Sequence, residues 1–560
     1  MNDLHKLITN IYGRVPDDLA QGLEQLCQSG PSQSERDELW NEQDVVLITY
    51  ADQIRADGAT PLEALHAFLL DYAVDDVINC VHLLPFCPYT SDDGFSVVDY
   101  LAVDSAAGDW DDIGNLGDAF DLMYDLVLNH CSQSHEWFQA YLSGDSGYKD
   151  FFIDQDPSAD LSTVTRPRSL PLLTPFESSD GIKHVWTTFS EDQVDLNYAN
   201  EKVLLAMADT LVQYARRGAR IIRLDAIAYL WKQVGTNCIH LPQTHAVVQL
   251  MRYVLDQAAP GTLVLTETNV PHAENISYFG DGTNEAHMVY QFSLPPLLLD
   301  AIHSGQTGAL KQWLETLRPL SDQTTFFNFT ASHDGIGVRP LEGIVPNERV
   351  LNLAEIVRSH GGKVNTRRNP DGSDSPYELN ITYLDAVADR SKVSAADHSR
   401  RFLATQAIML AMQGMPAVYF HSLVGSPNDI QGMESSGQNR RINRHKYDRA
   451  ELEGALASPD SLQRRVFDGY RRLLQERIEQ PAFHPSASQR VMDLPDDGLI
   501  GFVRETSDGE RIAVIANLTD KPRQVDGDAT DLRNDVLAMQ ELTANAPIPM
   551  RPYQVRWLAD

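Results

Sequence analysis

The strongest constraint on the fold is a repeated order of short apolar segments and longer amphipathic segments. Eight runs rich in β-branched and aromatic residues end in polar residues and predict buried strands; they are residues 44–52, 80–86, 122–130, 219–226, 262–269, 287–292, 324–334 and 415–420. Most are separated by segments with helical periodicity, such as 201–218 and 244–261. Strands that alternate with helices pair in parallel, so eight such units predict a (β/α)8 barrel, an α/β fold.

Further regions surround and interrupt the predicted barrel. Residues 1–42 are polar, with a helical pattern, and are expected to form an N-terminal extension outside it. The barrel itself is predicted over 43–486, with insertions at about 131–218 after strand three and at about 335–400 after strand seven, since long connections usually carry function. Short alternating strands, with a hairpin turn in "SDGE", predict an antiparallel β domain over 487–560.

Composition and charge exclude several classes of partner. The formal net charge is -34 at pH 7, so neither nucleic acid nor an anionic membrane is expected to bind. No apolar run is long enough to span a membrane, and no secretory signal is expected. The five cysteines have no CxxC spacing, which favours reduced thiols and a cytoplasmic location. An anionic small-molecule substrate is still compatible with this charge.

Polar side chains follow the predicted strands at the end where barrel enzymes place their active sites. Strands three, four, five and seven end in three carboxylates, an arginine and two histidines, namely Asp225, Glu267, Asp334, Arg223, His130 and His333. The "SDDGF" segment after strand two adds Asp92 and Phe95. One aspartate after a strand is usually a helix cap. The whole set is harder to explain as structure alone, because burying so much charge is costly unless it is used.

The positions of two carboxylates indicate glycoside chemistry. Retaining glycosidases need a nucleophile and an acid about 5–5.5 Å apart, and neighbouring strands lie about 4.8 Å apart. Asp225 and Glu267 can therefore meet this requirement. Arg223 shares a strand face with Asp225 and is expected to keep that aspartate ionised. Glu267 must be protonated at rest, so a raised pKa is expected for it.

Several motifs resemble those of a known enzyme family. "YDLVLNH", "IRLDA", "LTETN" and "ASHD" are similar, in order, to the four conserved regions of the α-amylase superfamily of glycoside hydrolases (family 13), and the resemblance covers roughly residues 43–560. "LITYAD", "HLLPF", "RPR", "QVDLN" and "INRH" are similar to its sucrose phosphorylase subfamily. The resemblance implies a retaining enzyme that transfers glucose from a small α-glucoside to inorganic phosphate. It implies no organic cofactor and no metal, with phosphate as the co-substrate.

The resemblance also implies a role for each candidate site residue. Asp225 would be the nucleophile, Glu267 the general acid and base, and Asp334 the third carboxylate, which orients sugar hydroxyls. Arg168, in a mobile loop, would bind phosphate, and Gln193 would help near the acceptor subsite. Seven residues would bind the donor sugar: Asp92, Phe95, His130, Arg223, Tyr229, His333 and Arg444.

The acceptor is less well determined by the sequence. Residues 266–280 and 363–380 look more like glucosylglycerate phosphorylases, so glycerate is favoured, with glycerol and the fructose of sucrose as alternatives. Four cations in the insertion after strand seven are candidates to meet a glycerate carboxylate, although each alone could be a solvated loop charge: Arg339, Lys363, Arg367 and Arg368. Glu342 nearby would suit a polyol better.

Two other classes of function, and two structural questions, stay open at this point. A hydrolytic α-glucosidase on the same barrel is disfavoured by "RPR" and "SHDGIGV". A non-catalytic amylase-like protein is disfavoured because all three carboxylates are present. The sequence leaves the choice between a monomer and a homodimer open, and it gives no role for residues 1–42.

Overall fold

The computed structural model describes residues 3–28, 38–167, 170–368 and 373–560. Eight parallel strands close into a barrel: β1 (Val46–Thr49), β2 (Cys80–Leu83), β3 (Asp121–Leu126), β4 (Ala219–Leu224), β5 (Leu263–Thr266), β6 (Met288–Tyr290), β7 (Thr325–Asn328) and β8 (Met415–Tyr419). Each strand coincides with a predicted run, and β3 begins one residue earlier. The predicted (β/α)8 barrel is therefore confirmed.

The barrel strands form where apolar residues predominate, because both faces of a parallel strand are covered. Every residue of β1, β2, β4 and β5 is buried. In the register, Leu224 of β4 lies beside Thr266 of β5. Pairing continues one step further, since the amide of Glu267 donates to the carbonyl of Leu224 at 3.1 Å. The next residues, Asp225 and Glu267, therefore leave the barrel at the same level.

Helices cover the outside of the barrel. The longer ones are Pro61–Asp71, Trp110–Gly117, Glu201–Arg216, Pro242–Ala258, Leu294–Ser304, Asn347–Ser359, Ala395–Ala411 and Leu462–Ile478. Helix Glu201–Arg216 begins after Asn200, whose side chain accepts a hydrogen bond from the amide of Lys202. It ends before Gly218, whose φ of 96° is one that glycine adopts without strain. The sequence signals for this helix thus act at both of its ends.

Shorter helices lie in the connections between these elements. They are Glu136–Ser143, His272–Asn275, Gly308–Leu314, Tyr383–Val387, Phe420–Leu423, Ile430–Ser436 and Arg449–Ala457, with 3-10 turns at Asp92–Gly94, Ile227–Tyr229, Ile276–Phe279, Arg339–Leu341, Asn439–Asn443 and Pro481–Phe483. Within the described ranges, no helix is long and apolar enough to cross a bilayer.

Two long connections carry short strands of their own. After β3, His130–Ser132 pairs antiparallel with Gln193–Asp195, and a hairpin of Leu173–Ser178 and Gly181–Trp186 lies between them in sequence. After β7, a three-stranded antiparallel sheet contains Ile336–Gly337, Lys363–Arg368 and Asp374–Asn380. Both connections fall where insertions are predicted, and the bounds 131–218 and 335–400 stay predictions.

The two ends of the chain pack against the outside of the barrel. Helices Asp3–Tyr12 and Asp17–Cys27 contact the barrel helix Pro242–Ala258. At the other end, six antiparallel strands form one sheet: Ser488–Val491, Leu499–Glu505, Arg511–Asn517, Asn534–Asp535, Gln540–Glu541 and Val555–Ala559. The second and third of these strands are joined through the predicted "SDGE" turn. The limits 1–42, 43–486 and 487–560 stay predictions.

Candidate active site

An inner cavity opens at the carboxyl ends of the barrel strands. Nine of the twelve residues predicted from sequence line it: Asp92, Phe95, His130, Gln193, Asp225, Tyr229, Glu267, His333 and Asp334. Arg223 and Arg444 lie behind its wall, and Arg168 lies outside the described residues. The structure therefore brings together residues that come from β2, β3, β4, β5 and β7 and from the segments after them.

The end of β4 presents a carboxylate and fixes a second one. Asp225 is buried, and its Oδ1 lies 2.7 Å from Nη1 of Arg223. The following residue, Ala226, has a φ of 53°, a left-handed conformation that costs energy outside glycine. This turn points the amide of Ala226 at Glu267, which accepts the hydrogen bond through Oε2 at 3.1 Å. The strained turn thus positions Glu267 from the neighbouring strand.

A buried ion network supports the β4 carboxylate from inside the barrel. Arg223 also contacts Asp125 of β3, and Oδ2 of Asp125 lies 2.7 Å from Nε2 of His82. Sequence reasoning missed Asp125, although an acid in the middle of an apolar strand was a usable signal. Arg223 was predicted to hold the sugar, whereas the structure places its guanidinium between Asp125 and Asp225, behind the cavity wall. Arg223 therefore contacts Asp225 directly, and its contact with the sugar stays a prediction.

The protonation of the two neighbouring carboxyl groups differs in part from expectation. Burial raises the pKa of Glu267, as expected. Burial, with the nearby Glu267, also raises the pKa of Asp225 well above its ordinary value and outweighs the opposing effect of Arg223. Arg223 thus acts on the pKa of Asp225 in the predicted direction, and that it keeps the aspartate ionised stays a prediction. Two such neighbours titrate as a pair, so the charge of each depends on the protonation of the other.

The third carboxylate, Asp334 after β7, is strongly ionised. Burial acts to raise its pKa, but Arg440, His333 and Arg444 lower it well below its usual range. The shortest of these contacts joins Nη1 of Arg440 to Oδ1 of Asp334 at 2.6 Å. The two histidines are neutral near pH 7, because burial lowers the pKa of His130 to about 4 and that of His333 to about 3.

Aromatic and polar side chains form the walls beside these carboxylates. The ring of Phe95 stacks on His333 with centroids 4.7 Å apart, and Nε2 of His130 donates to the carbonyl of Phe95 at 3.0 Å. Gln193 donates to the same carbonyl at 3.3 Å. Gln193, predicted near the acceptor, therefore lies beside a residue predicted for the donor sugar. Tyr229 also lines the cavity and meets the ring of Phe189 edge-on.

The segment after β2 has an unusual backbone that is held by a buried arginine. Asp92 and Asp93 both have left-handed φ values, of 54° and 49°. Arg444 is fully buried and reaches Asp93 Oδ2 at 2.9 Å and Asp92 Oδ1 at 3.4 Å, while its Nε donates to the carbonyl of His333 at 2.8 Å. It was predicted to hold glucose, but it does not line the cavity. Arg444 instead fixes Asp92 and His333, which do.

Arg440, Tyr377 and Asn269 are among the cavity residues that sequence reasoning did not find. Arg440 bridges Asp334 and Glu378, with Nη2 lying 2.7 Å from Oε1 of the glutamate. Tyr377 lines the cavity next to it, and Asn269 follows Glu267 by two residues. Oδ1 of Asn269 is buried and finds no hydrogen-bond partner among the described residues. The position of Asn269, two residues after an expected acid, was the one available signal.

The ammonium group of Lys232 lies near the end of β3, between oxygen atoms of two other side chains. Nζ of Lys232 lies 2.7 Å from Oδ1 of Asn129 and 2.8 Å from Oδ2 of Asp195. Asp195 also accepts from the hydroxyl of Thr188 at 2.6 Å. Within the described residues, no group of three or more His, Cys, Asp or Glu side chains is arranged to hold a metal. The ammonium group of Lys232 therefore balances the charge of Asp195 and lies where the side-chain oxygens of Asn129 and Asp195 meet.

Three of the four cations proposed for a glycerate carboxylate do not line the inner cavity. Arg367 donates to Glu342 at 2.6 Å, and Arg339 lies 3.7 Å from Glu274. Neither of them lines the cavity, and nor does Lys363. The side chain of Arg368 lies outside the described part of the chain.

This barrel, with carboxylates from three strand ends around one cavity, defines an enzyme that acts on glycosidic bonds. The α-amylase catalytic domain model matches residues 69–337, and a model of the C-terminal immunoglobulin-like domain of D-apionate lactonase matches residues 496–558. The chain is 47% identical to a glucosylglycerate phosphorylase of Allomeiothermus silvanus, over 98% of this chain and 97% of that protein.

Two further comparisons agree with this assignment. The chain is 46% identical to a glucosylglycerate phosphorylase of Escherichia coli strain K12, over 93% of this chain and 92% of that protein. The crystal structure of a sucrose 6F-phosphate phosphorylase from Thermoanaerobacter thermosaccharolyticum superposes with a TM-score of 0.73 at 27% identity, covering 85% of this chain and 94% of that one. The chain therefore belongs to the α-amylase family and, within it, to the glucoside phosphorylases.

Proposed function

We propose that the protein transfers glucose from 2-O-α-glucosylglycerate to inorganic phosphate, with retention of configuration, to give α-glucose 1-phosphate and glycerate. The observation that carries the chemistry is the placement of Asp225 and Glu267 at neighbouring strand ends, where burial raises the pKa of both. The choice of glycerate is supported by relatives that are named glucosylglycerate phosphorylases and share 46% to 49% of aligned residues with the chain.

The first half-reaction needs one ionised and one protonated carboxyl group. Asp225 attacks the anomeric carbon as a carboxylate, and the bond from that carbon to the glycerate oxygen breaks. Glu267 gives its proton to the departing oxygen, so glycerate leaves as an alcohol and a covalent glucosyl enzyme is formed. The raised pKa of Glu267 suits it to carry that proton. Arg223 supports the ionised form of Asp225 once the proton of the pair lies on Glu267.

The second half-reaction regenerates the carboxyl pair. A phosphate oxygen attacks the anomeric carbon from the side that glycerate has left, and the bond to Asp225 breaks. Glu267, now a carboxylate, takes the proton of the attacking phosphate hydroxyl. Two displacements at one carbon return the α configuration. Asp334, held ionised by Arg440 and His333, binds sugar hydroxyls and stabilises the positive charge that develops on the ring in both steps.

The remaining site residues have supporting roles in this proposal. His130 and His333 are neutral and offer hydrogen bonds to sugar hydroxyls, while Phe95 and Tyr229 present aromatic faces. Arg168 binds phosphate, as arginine suits bidentate contact with that anion. Neither step needs a metal or organic cofactor, since each is a displacement coupled to a proton transfer. The five cysteines are free, which suits a cytoplasmic enzyme.

The proposal is tested by offering glucosylglycerate, glucosylglycerol and sucrose to the purified enzyme, with and without phosphate. Glucose 1-phosphate and free glucose are measured separately in each reaction. We expect phosphate-dependent glucose 1-phosphate from glucosylglycerate, with a kcat/KM about 100-fold or more above those of the uncharged donors, because the donor carboxylate has to be paired in the site. The Asp225→Asn variant is the control for background hydrolysis.

Two outcomes would contradict the proposal in different ways. Free glucose that forms at a rate indifferent to phosphate would identify a hydrolase. Faster phosphorolysis of sucrose or glucosylglycerol than of glucosylglycerate would retain the phosphorylase and refute the acceptor.

A further inference from the structure

The inner cavity meets a second, outer cavity of about 580 Å³. Four residues line both of them: Asp92, Pro167, Tyr377 and Arg440. The carboxylates that act on the anomeric carbon line the inner cavity only, so a glucosyl group that reaches Asp225 occupies that side. The leaving group points away from Asp225 and towards the opening. The junction between the two cavities is therefore where glycerate leaves and phosphate enters.

Arg440 is the cation at this junction. Among the described residues, it is the one lysine or arginine that lines either cavity. A guanidinium carries five N–H donors. Nη1 contacts Asp334 at 2.6 Å, while Nη2 and Nε contact Glu378 at 2.7 and 3.3 Å, which accounts for three of the five. Two donors are left for a ligand, and the side chain is 22% exposed.

The surrounding structure holds this guanidinium in place. Glu378 is buried at 2% exposure in the hairpin after β7, where it pairs in register with Gly337. A Cβ at Gly335 would lie 2.5 Å from the Cγ of Glu378, so glycine lets the glutamate pack there. Beside Arg440, the side-chain amide of Asn439 donates to Asn365 of the same hairpin at 2.6 Å. Little side-chain freedom is lost when a ligand binds to an arginine that is already fixed.

Arg440 contacts two carboxylates, Asp334 and Glu378, so its charge is balanced within the protein. Asp334 is shared in turn with Arg444, whose Nη2 lies 3.9 Å from Oδ1. Arg440 therefore offers a ligand at the junction its two remaining N–H donors, which are charge-assisted and fixed in direction.

Both acceptors of the proposed reaction are anions. Glycerate carries a carboxylate and is replaced by phosphate, so one fixed cation can meet each of them in turn. We propose that Arg440 is the specificity-determining residue that contacts the glycerate carboxylate in the first half-reaction and phosphate in the second. This inference rests on the proposed function. It differs from the sequence-based expectation, which placed that contact on the cations of the insertion after β7.

The test compares two acceptors in the direction of synthesis, with glucose 1-phosphate as the common donor. The ratio of kcat/KM for glycerate to kcat/KM for glycerol isolates the carboxylate, because any effect on the donor cancels in the ratio. We expect Arg440→Gln to lower this ratio by about 10- to 100-fold, the effect of one charge-assisted hydrogen bond. Arg440→Lys keeps the positive charge but loses the paired N–H donors of the guanidinium, so it should lower the ratio less. This variant provides a second measurement if Arg440→Gln folds poorly.

Two further variants serve as a control and as a competitor. Arg358→Gln removes a charge from the exposed end of helix Asn347–Ser359, where Arg358 pairs with Glu355, and should leave the ratio unchanged. Arg367→Gln removes the cation that pairs with Glu342. A fall in the ratio for Arg367→Gln, with no fall for Arg440→Gln, would overturn the assignment.

A purely structural role for Arg440 gives a different result. If it acted only by holding Asp334, both acceptors would lose rate equally and the ratio would not move, which would also overturn the assignment. Failure of the proposed function is distinguished by the wild-type enzyme, which would then form no glucosylglycerate from glucose 1-phosphate and glycerate.

Discussion

Replacing Lys232 with methionine should destabilise the protein measurably. Methionine keeps most of the side-chain volume but removes the ammonium that lies 2.7 Å from Asn129 and 2.8 Å from Asp195. Breaking a buried charge pair from one side costs about 3–5 kcal/mol. Asp195 keeps the amide and hydroxyl of Thr188 at 2.8 and 2.6 Å, so the lower figure, about 3 kcal/mol, is expected.

The expected shift in melting temperature depends on the length of the chain. An unfolding entropy of about 2.1 cal/mol/K per residue makes each kcal/mol worth about 1 °C in a chain of 560 residues, so Tm should fall by about 2–3 °C in calorimetry. Lys202→Met, on the exposed face of helix Glu201–Arg216, is the matched control. Adding Asp195→Asn to the Lys232 variant should restore part of the loss, because no charge is then left unpaired.

Two results would refute this reasoning. A Tm unchanged by Lys232→Met would mean that water or a proton compensates Asp195 as well as the ammonium does. A double variant less stable than the single one would show that the charges are not coupled.

The site and its surroundings support four more predictions. Glu267→Gln should lower kcat for glucosylglycerate by several orders of magnitude with little change in Tm, and a loss below about tenfold would refute its role as the acid. Arg168→Ala should raise KM for phosphate more than it slows formation of the glucosyl enzyme, and equal losses in single-turnover and steady-state rates would refute the assignment of Arg168 to phosphate. Gly337→Ala should raise KM for glucosylglycerate several-fold, because its Cβ would lie 2.6 Å from Nδ2 of Asn269 and displace that cavity residue; an unchanged KM would show that the position of Asn269 does not affect substrate binding. Five buried histidines should make the protein less stable in acid. The free energy of unfolding should be highest above pH 6.5 and fall between about pH 6.5 and 4, by up to about 1.4 kcal/mol per pH unit per histidine, because these histidines take up protons in the unfolded chain before they do so in the folded one. A urea midpoint that stays constant over this pH range would contradict the prediction. Burial lowers the pKa to about 4 or about 3 in the five histidines concerned, which are His130, His135, His303, His333 and His421.

The barrel could be predicted because each of its strands lies in a mainly apolar run, and such runs are rare in exposed segments. Residues at strand ends, such as Asp225 and Glu267, could be predicted for the same reason, since parallel strands deliver their ends to one mouth. Features set by a single strand and its immediate neighbour were therefore accessible from sequence.

Partners that come from distant parts of the chain could not be predicted in this way. The raised pKa of Asp225 was not foreseen, because it comes from burial and from carboxylates such as Asp125, which lies 98 positions away from Arg223. Arg440 and Glu378 are joined across 62 positions, so no local pattern marks either of them. Whether an arginine such as Arg444 touches the sugar or supports the residues that do depends on backbone positions that motifs do not give.

The most direct test of the proposed reaction is a proton NMR time course of the enzyme with glucosylglycerate and phosphate, which resolves glucose 1-phosphate from glucose and the α from the β anomer in one experiment. We predict that α-glucose 1-phosphate accumulates at the rate at which glucosylglycerate disappears, as two displacements at Asp225 require. Accumulation of β-glucose 1-phosphate would show a single displacement and contradict the covalent role of Asp225. Accumulation of free glucose would show that water, and not phosphate, is the acceptor.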